Sequence, residues 1–420
     1  MNTDEYIAGI AGDADRDLAG IFSEIDKNAL AGTGRVLDAF RAERVSDSCF
    51  AGTTGYGYDD RGREVLDRVW SRVFGTEASL VRHNFVNGTH AISTGLFGLL
   101  RPGDTMLSVT GRPYDTLDGV IGIGGAVSGA GGGPGSLRDF GISYSQIDMK
   151  DGRPDIPSVI ERLAADRSVK IVYMQRSKGY MTRRTLTPED ITEVHRAVKA
   201  VRPDVYTFLD NCYGEFTCER EPEADLIAGS LIKNPGGGIA LTGGYLTGSE
   251  KAVELASYRL TTVGTGGEVG ATLGQNRNMF MGLFYAPHTV AQALKTAHFA
   301  AYVFERLGYE TFPSWNEERS DIIQTVILRD PDKLCAFCAG IQSGSPVDSF
   351  AEPLPAPMPG YSDDVIMAAG CFVQGASVEL SCDGPLREPY TAYLQGGLTF
   401  EAGRIGILAA AKRVGICGRN

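Results

Sequence analysis

The sequence predicts an α/β fold with a mostly parallel central sheet, helices on both faces, and a smaller C-terminal α+β domain. Short apolar runs bounded by turn residues alternate with helical patterns up to about residue 290, as in sheets of buried parallel strands. Beyond that point the alternation stops. Because 420 residues usually form more than one domain, we expect a helical arm at 1–50, a large α/β domain at 51–290 and a small domain at 291–420.

The N-terminal part of the chain alternates helical segments with one distinctive loop. Apolar residues recur at helical spacing over 14–25 and 28–43, and a glycine- and tyrosine-rich loop follows at 52–60. Helical spacing returns over 61–74.

The central part contains short apolar runs that predict the strands of the sheet. We expect these strands at residues 105–110, 142–147, 170–174, 205–209, 226–228 and 239–242. A helix is predicted from Thr187 to Val201, because Thr187 can cap it, Pro188 suits its first position, and two acids follow. Residues 91–100 also have a helical pattern.

The C-terminal part shows a different order of elements. We expect a long helix at 290–307, a strand at 322–328, a helix at 331–342, a proline-rich loop at 352–360, strand-like sequence at 365–380 and a helix at 400–413. The glycine tract at 129–135 is too short for a linker, and we interpret it as a loop near a ligand or an interface.

Composition limits the function. The formal net charge of −12 and the pI near 5.0 argue against binding to nucleic acid or to anionic membranes, which requires clustered Lys and Arg. The acidic N-terminus and the absence of a long apolar run predict a cytoplasmic protein. Its eight cysteines are then free thiols. Neither the Cys335–Cys338 pair, which fits a helix core, nor the five scattered histidines predict a metal site.

Familiar nucleotide and hydrolase motifs are missing from this glycine-rich chain. No Gly-Lys dipeptide occurs, so a Walker A loop is excluded, and no G-x-S-x-G elbow is present. The glycines near residue 122 do not complete G-x-G-x-x-G, since Val127 takes the last position.

Four features instead combine into one site. Asp210 ends an apolar strand, Lys233 follows another, Asn87 and its neighbours open a helix, and Tyr114 follows a further strand. Ligands of open α/β sheets collect at these strand ends. An acid, a lysine, a phosphate-binding helix terminus and an aromatic ring are the parts that a pyridoxal 5′-phosphate (PLP) site needs. Lys233 is one of only ten lysines, and it lies between apolar residues and a glycine run.

Each feature also has an ordinary explanation. Asp210 could cap a turn or a helix, Lys233 could be a solvated surface lysine, and Tyr114 could be a core or rim residue. The joint order and spacing favour the PLP site over these separate explanations.

One motif resembles a known family. The segment Ser-Leu-Ile-Lys-Asn-Pro-Gly-Gly-Gly at 230–238 resembles the lysine motif of the methionine gamma-lyase-like, aluminium-resistance branch of fold-type I PLP enzymes, relatives of cystathionine lyases and synthases. Ile232 departs from the Ser-x-Thr-Lys pattern of the main cystathionine branch, so substrate preference does not transfer directly. Further similar segments lie at 55–63, 81–91, 175–180 and 395–400, and the resemblance spans about residues 45–415.

The resemblance implies a homotetramer, built as a dimer of dimers, with active sites at subunit interfaces. Lys233 would form the Schiff base with PLP, and Asp210 would bind the pyridinium nitrogen. The phosphate would be held by the segment Gly88, Thr89 and His90 together with Ser230. Tyr114 would stack on the ring and serve in acid–base chemistry.

Other residues take implied roles at the edges of the site. Tyr56 or Tyr58, with Arg61, would reach the phosphate of the neighbouring subunit. Arg387 is the candidate for the substrate carboxylate, because a guanidinium can bind it with two hydrogen bonds. Arg176 and Arg184 are lesser candidates, and a plain surface role for Arg387 stays open.

The leading functional prediction is γ-elimination on a small amino-acid substrate, with a thiol, halide or other γ leaving group. The freed Lys233 amine would remove the Cα proton, the ring would absorb the charge, and Tyr114 would protonate the leaving group. The product would be a 2-oxo acid and ammonia, or an unsaturated amino acid. Alternatives are a β-lyase of the cystathionine or cysteine type, a γ-replacement enzyme, an aminotransferase, and a non-catalytic ligand-binding α/β protein.

Overall fold

A computed structural model describes residues 3–123, 133–181, 183–358 and 363–417. Most of the glycine tract at 129–135 and the end of the predicted loop at 352–360 lie outside the described residues.

Seven strands form the central sheet. They are β1 (Ala78–Arg82), β2 (Thr105–Ser108), β3 (Ser143–Gln146), β4 (Val169–Gln175), β5 (Tyr206–Asp210), β6 (Leu226–Ser230) and β7 (Gly244–Gly248). Their order is β1-β7-β6-β5-β4-β2-β3, and all neighbours are parallel except β7, which is antiparallel to β1 and β6. The mostly parallel sheet is confirmed, and β2 to β6 lie where the apolar runs predict them.

One predicted strand is wrong. Residues 239–242 follow a short 3₁₀ helix, Asn234–Gly236, and the strand is β7 at Gly244–Gly248. The glycines at both ends of β7 remove the apolar pattern that predicts a strand, and close packing requires glycine at these positions. A Cβ on Gly248 would lie 2.1 Å from the Asp225 carbonyl oxygen.

Helices cover the sheet and supply the arm. They are α1 (Thr3–Asp17), α2 (Ala19–Ala42), α3 (Arg61–Phe74), α4 (Gly88–Leu99), α5 (Asp118–Ile121), α6 (Ile156–Ala165), α7 (Pro188–Val201), α8 (Glu250–Leu260), α9 (Asn276–Arg306), α10 (Pro331–Ser343) and α11 (Phe400–Cys417). The predicted start of α7 is confirmed, because the Thr187 hydroxyl accepts from the Asp190 N–H at 3.2 Å and the Asp190 carboxylate accepts from the Thr187 N–H at 2.9 Å.

The long helix α9 begins earlier than the sequence predicts. It has 31 residues and contains Pro287, a residue that usually ends a helix. The proline ring packs against α2, where a Cβ on Gly32 would lie 3.1 Å from the Pro287 Cβ. Since α9 also runs through residue 290, the proposed domain boundaries stay a prediction.

A second sheet is fully antiparallel. It contains β8 (Glu310–Phe312), β9 (Gln324–Ile327), β10 (Val365–Ala368), β11 (Ser381–Pro385) and β12 (Thr391–Gln395) in the order β10-β11-β12-β9-β8. The strand-like sequence at 365–380 forms a strand only over its first four residues, and the rest packs as turns. This smaller C-terminal sheet, with α10 and α11 beside it, completes the predicted α/β plus α+β architecture.

None of the helices within the described ranges has both the length and the apolar character needed to cross a membrane.

Candidate active site

The carboxyl ends of β4, β5 and β6 open into a cavity of about 210 Å³. Gly88, Thr89, Tyr114, Asp210, Ser230 and Lys233 all line it. The structure therefore brings together six residues that lie up to 145 positions apart in the sequence. The fold explains why, since parallel strands end at one edge of their sheet.

Lys233 follows β6 and caps the 3₁₀ helix Asn234–Gly236. Its Nζ lies 3.7 Å from the centroid of the Tyr213 ring. Burial lowers the pKa of Lys233, but Tyr213, Cys212 and Asp210 oppose this, and the pKa rises above its usual value. The amine is thus held as a cation over an aromatic face. Sequence reasoning missed Tyr213, whose position carries no motif of its own.

Asp210 ends β5, is buried, and lines the cavity. Its Oδ1 accepts from the Cys212 N–H at 3.1 Å, and the Tyr173 hydroxyl lies 3.5 Å from Oδ2. Burial raises the pKa of Asp210, whereas Lys233 and the Cys212 N–H lower it. This carboxyl can hold a proton donor such as a ring N–H.

Helix α4 points its N-terminus into the cavity. The Asn87 side chain caps the helix by accepting from the His90 N–H at 2.8 Å. The N–H groups of the first helical residues, Gly88 and Thr89, have no acceptor within the helix and suit an anion. A Cβ on Gly88 would lie 3.1 Å from Cys212 Sγ and 3.4 Å from Ser230 Cβ. The glycine therefore leaves space for an anion beside the first N–H groups of α4, and we call this space the phosphate cradle.

Tyr114 lines the same cavity. Its backbone N–H donates to Gln175 Oε1 at 2.7 Å, and Gln175 Nε2 donates to the Ser177 carbonyl at 2.9 Å. Gly179 packs beside the ring, since a Cβ there would lie 2.9 Å from Tyr114 Cδ2. Gln175 and Gly179 therefore position Tyr114. Both belong to the segment 175–180, in which the sequence analysis gave a role only to Arg176.

The His90 side chain turns away from the cavity. Its Nδ1 accepts from the Val86 N–H at 3.1 Å, and its ring meets Phe85 edge-on at 5.6 Å. Burial lowers the pKa of His90. His90 thus contributes to the site only through the helix terminus that its backbone completes.

The three arginine candidates lie in different surroundings. Arg387 follows β11, is exposed, and pairs with Asp363 at 3.0 Å. Arg176 is fully buried, and its guanidinium donates to Asn211 Oδ1 at 2.9 Å and pairs with Glu221 at 3.5 Å.

Arg184 pairs with Asp190 at the start of α7. The structure does not bring Arg176 or Arg184 to the cavity, because each completes a structural ion pair.

Tyr56 and Tyr58 project into solvent, with 73% and 58% of their surface exposed, and their rings stack at 5.4 Å. Arg61 is exposed as well. None of the three lines the cavity of its own chain. The loop that carries them is nevertheless fixed, because the buried Arg63 donates to the Gly57 carbonyl at 2.6 Å.

The residues of the cavity fit PLP. The space at Gly88 suits a phosphate, and the Asp210 carboxyl, which can pair with a ring nitrogen, and the Lys233 amine line the same cavity. Within the described part of the chain, no group of three or more His, Cys, Asp or Glu residues could hold a metal ion. Fold and cavity together define the class of fold-type I PLP-dependent enzymes.

The comparisons with known proteins agree. Residues 8–415 match the family model described as methionine gamma-lyase. The chain belongs to this family, which confirms the predicted resemblance. At the level of the family it also confirms the cofactor, and the family is one of PLP-dependent carbon–sulfur lyases.

Similar proteins cover nearly the whole chain. The uncharacterized protein YnbB of Bacillus subtilis (strain 168) is 49% identical over 94% of this chain and 93% of its own. A carbon–sulfur lyase involved in aluminum resistance from Clostridium novyi NT is 49% identical, covers 98% and 96% of the two chains, and superposes with a TM-score of 0.92. A Clostridium acetobutylicum protein, provisionally a cystathionine beta-lyase involved in aluminum resistance, is 47% identical with coverage of 97% and 95% and a TM-score of 0.93.

A more distant structure shares the fold alone. The pyridoxal-5′-phosphate-dependent protein YhfS from Escherichia coli is 14% identical, covers 93% of this chain and 96% of its own, and gives a TM-score of 0.61.

Proposed function

We propose that this protein is a PLP-dependent lyase that removes a γ leaving group from an amino acid. The observation that carries the proposal is the single cavity that holds the amine of Lys233, the carboxyl of Asp210 and the N-terminus of α4.

When bound, PLP supplies an electron-accepting ring that stabilises negative charge at the substrate Cα. The chain supplies the rest. The first N–H groups of α4 and the Ser230 hydroxyl bind the phosphate, and Asp210 holds the proton at the ring nitrogen. Lys233 Nζ takes the proton from Cα. For γ-elimination it would have to give that proton up to the cofactor carbon that carried the aldehyde before it takes a second proton from Cβ. The Tyr114 hydroxyl donates a proton to the departing group.

A β-elimination is the second candidate, favoured by the provisional cystathionine beta-lyase assignment of the similar Clostridium acetobutylicum protein. It needs the same residues but no removal of a Cβ proton. Cystathionine separates the two reactions in one assay. Cleavage at Cγ releases cysteine, 2-oxobutanoate and ammonia, whereas cleavage at Cβ releases homocysteine, pyruvate and ammonia.

We expect cysteine and 2-oxobutanoate in equal amounts when the holoenzyme is incubated with cystathionine. Homocysteine and pyruvate would assign the β-lyase activity instead. Amino-group transfer to an added 2-oxo acid without loss of the side chain would identify an aminotransferase, and a product that appears only with an added thiol would identify a γ-replacement enzyme.

We also propose that the active enzyme is a homotetramer in which Tyr56, Tyr58 and Arg61 serve the neighbouring subunit. Their exposure on a fixed loop supports this, since large exposed aromatic groups usually mark contact surfaces. The Gly270 N–H ties the loop by donating to the Tyr56 carbonyl at 2.9 Å. Light scattering should give four times the 44.9 kDa chain mass, and a monomer with full activity would refute the proposal.

A cytoplasmic location is part of the same proposal. The seven cysteines that the structure describes are free thiols, as a reducing compartment maintains them. Recovery of the protein outside the cytoplasm on cell fractionation would contradict it.

A further inference from the structure

Tyr213 belongs to a tight turn that follows β5. The Gly214 N–H donates to the Asn211 carbonyl at 2.9 Å, which closes a four-residue turn with Tyr213 at its third position. The φ of Tyr213 is +73°, in the left-handed region. Glycine or asparagine usually takes such a position, because a bulky residue is strained there. A tyrosine at this position therefore indicates that its ring is required.

The Tyr213 ring contacts both the protein core and the amine of Lys233. It packs against the apolar core of the large sheet, and Lys233 Nζ lies 3.7 Å from its centroid. Tyr213 and Lys233 also line the same cavity. A cation this close to an aromatic ring is attracted by the negative charge of the ring face, and the attraction is strongest where water is excluded.

Other groups act on the same amine. The Asp210 and Asp383 carboxyls interact electrostatically with Lys233, and the Cys212 thiol does so too. Within the described residues, neither aspartate forms an ion pair with Nζ. Direct contact with positive charge at Nζ thus comes from the Tyr213 ring.

We propose that the face of the Tyr213 ring stabilises the positive charge that Lys233 Nζ acquires when it takes the Cα proton of the substrate. In this step the Cα–H bond breaks, its electron pair passes to the cofactor ring, and the proton forms an N–H bond at Nζ. Because the amine becomes an ammonium only as the proton moves, the ring face stabilises the transition state more than the bound substrate. The inference rests on the proposed function, which assigns Lys233 as the base.

Three variants separate the ring face from other effects. Tyr213→Leu removes the face, Tyr213→Phe keeps it without the hydroxyl, and both bear the backbone strain at φ +73°. Tyr206→Leu is the matched control, because the Tyr206 ring lies 5.8 Å from Lys199 Nζ and does not line the cavity.

The first measurement is binding at equilibrium. Formation of the Schiff base consumes the Lys233 ammonium, whereas 4-deoxypyridoxine 5′-phosphate, which lacks the aldehyde, leaves it intact. The ratio of the two dissociation constants for the cofactor-free chain therefore reports how strongly the ammonium is held, and it corrects for lost packing. In Tyr213→Leu, we expect this ratio to favour PLP about tenfold more than in the wild type.

The second measurement is exchange of the Cα proton of saturating L-alanine and L-norvaline for deuterium, followed by NMR with the holoprotein in D2O. Neither amino acid has a leaving group, so exchange needs only the base. Tyr213→Leu should slow the exchange about tenfold. Tyr213→Phe should restore both properties to near the wild-type values, and Tyr206→Leu should change neither. The opposite directions matter, since general damage to the cavity would weaken PLP binding and slow exchange together.

The inference is overturned if Tyr213→Leu leaves either property unchanged, if it weakens PLP binding relative to the aldehyde-free analogue, or if Tyr213→Phe behaves as Tyr213→Leu does. A wild-type chain that exchanges the Cα proton but cleaves no amino acid would refute the proposed lyase and leave the role of Tyr213 assigned. A wild-type holoprotein that exchanges no Cα proton would refute Lys233 as the base, and this inference with it.

Discussion

Glu215 lies in the core behind the lysine segment, and its charge should make the stability of the protein depend on pH. The residue is fully buried. Its backbone carbonyl accepts from Asn234 Nδ2 at 3.0 Å, next to Lys233, and its Oε1 accepts from the Tyr245 hydroxyl at 2.8 Å. Oε2 has no hydrogen-bond partner among the described residues. Burial raises the pKa of Glu215 from 4.5 to about 8.

The sign of the effect follows from proton binding. Between pH 4.5 and 8 the folded chain keeps a proton on Glu215 that the unfolded chain releases. The free energy of unfolding therefore falls as pH rises through this range, by about 1.4 kcal/mol per pH unit. Glu215→Gln removes the titration but keeps an oxygen that can accept from Tyr245. Its advantage over the wild type should grow by about 3 kcal/mol between pH 5.5 and 8.5.

Urea unfolding of the holoprotein at four pH values between 5.5 and 8.5 measures this difference. Glu223→Gln is the control, because Glu223 is exposed and pairs at the surface with Arg196. Its stability relative to the wild type should change little with pH. Parallel curves for Glu215→Gln and the wild type would refute the reasoning, since they would mean that Glu215 does not hold its proton in the fold.

Three further changes have defined outcomes. Gly88→Ala should weaken PLP binding about tenfold, because the new Cβ enters the phosphate cradle, whereas Gly34→Ala, with no atom within 4 Å of its Cβ, should leave the titrated affinity unchanged. Gly179→Ala should lower kcat/KM about tenfold with PLP still bound, since its Cβ meets the Tyr114 ring and its φ is +56°; wild-type kinetics would contradict this. Thr187→Ala should reduce the free energy of unfolding by about 1 kcal/mol without changing activity, and an activity loss would be unexpected.

The sequence predicts those parts of the fold in which local pattern and tertiary role agree. Strands β2 to β6 are buried in the sheet, so apolar runs reveal them, and α7 carries a complete capping box. Strand β7 lies between β1 and β6, and close packing of its neighbours requires glycine. Because glycine is typical of turns, the sequence pattern does not predict a strand there. Strand β11 is hidden similarly by Gly384 and Pro385 at its end.

The site shows the same limit. Residues at strand ends and helix starts, such as Asp210 and Gly88, can be located from sequence because topology brings them to one edge. Tyr213 could not be found this way, since its approach to Lys233 depends on the conformation of a turn, in which Tyr213 has a φ of +73°. Nor does sequence distinguish Arg176, which completes a buried ion pair, from an arginine that binds substrate.

The most direct test of the central claim is borohydride reduction of the yellow holoprotein, followed by peptide mapping of the modified lysine. Two buried lysine environments compete for the cofactor aldehyde. Lys233 lies in the cavity, whereas Lys178 is fully buried beside it, donates to the Ile323 carbonyl at 3.1 Å, and has its pKa lowered by burial to about 8. The account predicts that the pyridoxyl group is found on Lys233 alone, and a label on Lys178 or on any of the other lysines would contradict it.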